Sequence, residues 1–182
     1  MGTSRGKALL LIAAGSVIAA CTSPAPPAPP APAPPSAPIE APPVESGAPD
    51  AALAAYDSFW AVSQRALAAP GTKDWTPELE AVASGQALDA IQSDVDNFAD
   101  YPAHNEGSVT RDPVVDSATD TTAEITDCVD LSDYLLIADK TGEILTDTAN
   151  QVPRFRYRAH VVKDESGRWL VNRTTPALDE PC

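Results

Sequence analysis

The chain has 182 residues, with 12 Lys+Arg against 26 Asp+Glu and a formal net charge of −14. So acidic a balance argues against a nucleic-acid binder, whose surface needs a basic face to neutralise phosphate. Twelve of the 19 prolines fall between Thr22 and Pro49, a density that reads as linker and not as core. The 133 residues from Asp50 to Cys182 suffice for one ordinary domain and not for two.

Residues 1–20 read as a signal peptide. Arg5 and Lys7 make a basic start, and Ala8–Ala20 follows as an apolar run broken only by Gly15 and Ser16. Spanning a bilayer takes roughly 20 apolar residues, so this run is too short for a stable transmembrane helix and fits a secretory signal. Arg5 and Lys7 are separated by Gly6, which favours general secretion over twin-arginine export. The run ends Ile18-Ala19-Ala20-Cys21, which resembles a bacterial lipobox. Small residues there fit the peptidase cleft, and the Cys21 thiol accepts a diacylglyceryl group, two acyl chains giving stable anchoring. An ordinary signal peptide with a chance Cys is the alternative. Cleavage removes two cations and leaves 10 basic against 26 acidic residues, or −16. That charge holds the domain off an anionic membrane surface.

Residues 21–49 are expected to be a lipidated Cys followed by a disordered Pro/Ala spacer, too poor in apolar groups to fold and inclined to polyproline II. Docking of its PxxP-like repeats on a proline-binding module is the alternative. The domain proper, 50–182, starts with Asp50 as N-cap of a long helix. Leu53, Tyr56, Trp60 and Leu67, flanked by Phe59 and Val62, recur at helical spacing. Pro70-Gly71 stops it. Thr76 as N-cap with Pro77 at N1 restarts a helix, with Leu79 and Val82 facing inward. After Gly85, a further stripe runs through Ala87, Leu88, Ile91, Val95 and Phe98 to Tyr101-Pro102. The period then changes. Ser108–Val115 and Thr121–Val129 are β-branched, Tyr134–Ala138 is a short apolar strand, and Arg154–Lys163 alternates Phe155, Tyr157, Ala159 and Val161 with Arg154, Arg156, Arg158 and His160. Arg168–Thr174 is the last strand. The expected class is α+β, three N-terminal helices packed on a curved antiparallel sheet of four to five strands.

A long helix bearing Tyr56, Phe59 and Trp60, two shorter helices, the strand carrying Asp127-Cys128-Val129-Asp130, then Gly167-Arg168-Trp169-Leu170-Val171 and a closing Pro181-Cys182 follow in order. Together they resemble the secreted lipoproteins of actinobacteria with a nuclear-transport-factor-2-like (cystatin-like cone) domain. The resemblance covers Asp50–Cys182. It implies a cone with a cavity at its open end, where enzymes of this fold, ketosteroid isomerase among them, use an Asp or Glu base with Tyr or Asp donors. Tyr56, Trp60, Asp127, Tyr134 and Tyr157 are the residues that could line such a cavity. More simply, Tyr56 and Trp60 are helix-face core and Asp127 is a surface acid.

With Cys21 given to lipid, Cys128 and Cys182 remain, and an even pair in an exported domain reads as a disulfide. The bridge would close a loop worth about 4 kcal/mol in chain entropy. Two free thiols, or a metal site helped by His104 or His160, are the alternatives. No close-spaced ligand set supports a metal, and no cofactor is expected. No GxSxG, HExxH, P-loop, GxGxxG or EF-hand pattern occurs. His104 falls in a turn-like Tyr-Pro-Ala-His-Asn segment and His160 on an exposed strand face. Arg154, Arg156 and Arg158 form a basic stripe in an acidic chain. It reads either as a partner or anion stripe or as cross-strand ion pairing with neighbours such as Glu124. The functional expectation is a lipid-anchored, extracytoplasmic, non-catalytic binding or assembly module of the bacterial cell envelope. It would meet the membrane through the diacylglyceryl group on Cys21, bind an envelope protein partner and bind no nucleic acid. A small cavity enzyme (isomerase or hydrolase) and a phage- or prophage-encoded lipoprotein of superinfection exclusion are the alternatives.

Overall fold

A computed structural model describes residues Gly47–Cys182. The expected signal peptide, the expected lipidation at Cys21 and most of the expected spacer lie outside the described residues. The elements are α1 (Ala48–Ala68), a short 3-10 turn (Pro70–Thr72), α2 (Thr76–Glu80), α3 (Gly85–Asp100), β1 (Ala103–Gly107), β2 (Val114–Ala118), β3 (Thr122–Asp130), β4 (Tyr134–Ala138), β5 (Arg154–Lys163) and β6 (Trp169–Pro181). Helices followed by antiparallel strands give the α+β class expected.

Helix α1 begins earlier than expected. Gly47 is the cap, Pro49 sits in the first turn, and Asp50 lies one step inside, where its charge favours the helix dipole. Its buried stripe is Ala52, Tyr56, Phe59, Val62, Ser63 and Ala66. Leu53, Trp60 and Leu67 are half-buried at the margin. The stripe is rotated toward Ala52 and Ala66, both fully buried. At α2, Trp75 and not Thr76 is the cap. The Asp74 carboxylate accepts the Thr76 N–H at 2.9 Å, taking the role expected of the threonine hydroxyl and starting the helix one residue sooner. Of the α3 stripe, Ala87, Ile91 and Val95 are buried.

The strands form two sheets, not one. A four-stranded antiparallel sheet runs β2-β3-β5-β6, and β1 pairs only with β4. The expected strand over Ser108–Val115 is split. Gly107 ends β1 at φ +102°, and Pro113 delays β2. Strand β6 runs to Pro181, beyond the expected Thr174. It lies at the sheet edge, where Pro176 and Pro181 need no second partner strand, and its pairing with β5 shifts register twice. The open side of its first half is closed by residues 82–84: Ser84 N–H donates to Val171 O at 2.9 Å, and Val171 N–H to Val82 O at 3.1 Å. The core lies between α1, α3 and the inner face of the larger sheet, where Ala123, Ile125, Ala159, Val161 and Val171 meet Tyr56, Phe59, Leu79 and Ile91. Among the described residues no helix is long and apolar enough to cross a membrane.

Candidate functional site

Period-two alternation along β3 buries Ala123, Ile125, Asp127 and Val129 on one face. Asp127 is therefore not a surface acid: its residue is 1% exposed. Tyr56, fully buried on α1, donates its hydroxyl to Asp127 Oδ2 at 2.9 Å. One helical turn along, the Trp60 ring stands edge-on to Tyr56 with centroids 6.4 Å apart, and 5.3 Å from the Tyr157 ring. Tyr157 lies opposite Asp127 in the β3–β5 register. Four of the five expected cavity residues are thus brought together. Tyr134 is not among them. It opens β4, in the smaller sheet, with a buried hydroxyl that has no partner, and burial pushes that phenol up to about 12.

Sequence reasoning missed Arg111. It lies on the irregular segment between β1 and β2, and its Nη2 donates to Asp57 Oδ1 at 2.9 Å while Nη1 stands 3.9 Å from Asp127 Oδ2. The guanidinium also covers the Tyr56 and Trp60 rings, 5.4 and 5.6 Å from their centroids. A signal was present, since Arg111 is the single cation between Lys73 and Lys140. Next to it, the Asp112 N–H donates to Asp127 Oδ1 at 2.7 Å. Both Asp127 oxygens are thereby engaged. Burial raises the Asp127 pKa above 3.8, opposed by the Asp112 amide, the Tyr56 hydroxyl and the Arg111 charge. Burial first, and the Asp127 charge second, hold the Tyr56 phenol far above its ordinary value.

The cluster fastens α1, β3 and the β1–β2 connection in place of an open catalytic floor. The Asp127 side chain is 0% exposed, so it offers no lone pair to a substrate from solvent. A recess of about 340 Å³ remains on the α3 side, lined by Phe59, Ile91, Asp94, Tyr157, Thr174 and Pro176. Desolvation beside this recess raises the Asp94 pKa. Burial chiefly, with the charges of Asp94 and Asp127, raises that of Tyr157.

His104 is not in a loop but on β1, where it sits between two acids. Its Nδ1 is 2.6 Å from Asp139 Oδ1 and its Nε2 3.0 Å from Glu106 Oε1, and these partners raise its pKa above 6.5. His160 Nδ1 lies 2.7 Å from Glu124 Oε1, so Glu124 serves this histidine and not the arginines. Among the described residues no group of three or more His, Cys, Asp or Glu is placed to hold a metal ion.

Arg154, Arg156 and Arg158 are exposed on the outer face of β5. Arg158 pairs with Glu180 at 2.6 Å. Arg156 stands opposite Cys128, and Arg154 Nε donates to Cys128 Sγ at 3.0 Å. The Cys128–Cys182 disulfide joins β3 to the end of the chain, closing a separation of 54 residues with Cα atoms 5.9 Å apart.

The fold and this cluster define a small α+β domain with a polar junction sealed in its interior. No protein-family model matches the chain, and no curated protein matches it. Among solved structures, it is similar to the intermembrane-space region of the chloroplast protein ARC6, at 17% identity and TM-score 0.54 over 70% of this chain and 95% of that one. That likeness shows the fold. A ketosteroid isomerase-like protein from Erwinia carotovora atroseptica aligns at 12% identity and TM-score 0.45, over 72% of this chain and 97% of that one.

Proposed function

We propose that this chain is a lipid-anchored, extracytoplasmic binding or assembly module of the bacterial cell envelope, without catalysis of its own, built on a nuclear-transport-factor-2-like domain. The observation that carries the non-catalytic part is the sealed Asp127: the acid best placed to act as a base is bonded on both oxygens and closed to solvent. The anchor rests on Ile18-Ala19-Ala20-Cys21 and the stalk on the proline count from Thr22 to Pro49. Metabolic labelling with a radioactive fatty acid tests the anchor. Wild type should carry label and sediment with membranes, and Cys21→Ala should lose both; an unlabelled wild type overturns it. Crosslinking in intact cells should then join the domain to an envelope protein, and that product should vanish in Cys21→Ala.

A second reading, a small cavity enzyme, has one observation in its favour: Asp94 and Tyr157 share a recess. Asp94→Asn separates the two. It should leave the crosslinked product unchanged in a binding module and abolish the cellular role of an enzyme.

A further inference from the structure

The disulfide and the arginine stripe meet at one place. Cys128 Sγ accepts a hydrogen bond from Arg154 Nε at 3.0 Å, and Arg156 is its direct neighbour across the β3–β5 ladder. Cys182, its partner, is exposed, while Cys128 is half-buried. The two sulfurs therefore differ in access and in charge. Arg154 and Arg156 face Cys128 from β5. The acids nearby are Asp130, opposite Arg154 on β3, and Glu180 on β6, which is held by Arg158.

We propose that Cys128–Cys182 is a thiol–disulfide exchange site, polarised so that Cys182 is attacked and Cys128 leaves. This goes beyond the binding role and does not depend on it. An incoming thiolate from a redox partner protein attacks Cys182 Sγ; a new S–S bond forms there and the Cys128–Cys182 bond breaks. The electron pair goes to Cys128, whose thiolate is stabilised by the Arg154 and Arg156 guanidiniums, since a leaving thiol of low pKa departs faster. A second thiolate of the partner then attacks its own sulfur in the mixed disulfide. The partner is left oxidised, and Cys128 and Cys182 carry the two electrons as thiols after protonation. Release of Cys182 also frees the end of β6, which is held near the bridge by Pro181 pairing with Phe155 and by the Arg158–Glu180 ion pair.

The test uses the full-length oxidised protein with glutathione as the probe, followed by acid quench and peptide mass mapping. Glutathione should be trapped on Cys182 and not on Cys128, and Arg154→Gln should slow its attachment by about tenfold. The sign separates chemistry from structure: a variant that merely loosened the strands would expose the bridge and speed the reaction. Arg173→Gln, on the same sheet face but opposite His160, should leave the rate unchanged. Trapping on Cys128, or a rate in Arg154→Gln equal to or faster than wild type, overturns the proposal. As a second readout, Cys182→Ala leaves Cys128 as a thiol, whose thiolate absorbance should titrate below the ordinary cysteine value of about 8.5 and rise on adding Arg154→Gln. Titration at or above the ordinary value overturns it as well.

Discussion

Tyr56→Phe removes one oxygen from the centre of the domain. The hydroxyl it deletes donates to Asp127 Oδ2 at 2.9 Å in a site where the tyrosine is fully buried. A hydrogen bond to a charged group contributes about 1.5–3 kcal/mol, and no water can take its place in a packed interior. For a domain of this size each kcal/mol moves the melting temperature by roughly 3–5 °C, so a loss of about 5–15 °C is expected. The deficit also depends on pH. The Tyr56 bond favours the ionised carboxyl, while burial raises the Asp127 pKa above 3.8. Because the folded pKa is raised, Asp127 binds its proton more tightly in the folded than in the unfolded chain. Its own contribution to stability therefore falls as pH rises from the unfolded value to the folded one. Loss of the tyrosine bond raises the folded pKa further and widens that fall. Urea unfolding at pH 3.5 and at pH 7 should show the larger deficit at pH 7. A loss below about 0.5 kcal/mol, or a deficit larger at pH 3.5, would refute the account of the cluster.

Ser63 is 4% exposed and its Oγ has no partner, so Ser63→Ala should stabilise the domain by about 1 kcal/mol in thermal unfolding; a lower melting temperature counts against it. Gly107→Ala would place a Cβ 1.7 Å from Asp133 O at φ +102°, and should cost more than about 2 kcal/mol or abolish soluble expression. An unchanged melting temperature would contradict the β1 geometry. His104 has its pKa raised above 6.5, first by the Asp139 hydrogen bond and then by Glu106. The stability it adds is fully present below the unfolded value and is lost as pH rises through the folded one. Wild type and His104→Gln should therefore converge in stability as pH rises from 6.5 through the folded value, and parallel curves would refute the clasp.

Where one period dominates, the elements were legible. Tyr134–Ala138 falls where its short apolar run places it, and Arg154–Lys163 where clean alternation does. The inward face of α1 differs from its apolar stripe by part of a turn because alanines carry no conspicuous hydrophobicity, yet Ala52 and Ala66 are fully buried. Strand β6 was read short because proline argues against a strand, and only its edge position makes Pro176 and Pro181 tolerable. Tyr56, Trp60, Asp127 and Tyr157 were named together on the strength of a resemblance. The reading of Asp127 as a surface acid overlooks the alternation of β3, which buries it between Ile125 and Val129. What no periodicity carries is the partner: Arg111 and the Asp112 amide reach the acid from an irregular segment, so their roles depend on tertiary placement.

Carboxyl footprinting bears most directly on the sealed interior. The native full-length protein is treated with a water-soluble carbodiimide and an amine, then digested and mapped by mass. Asp94, which is exposed beside the recess, should be modified while Asp127 stays unlabelled until the domain unfolds. Modification of Asp127 in the native state at the rate of Asp94 would mean an open acid at the heart of the domain, and the non-catalytic reading would fall.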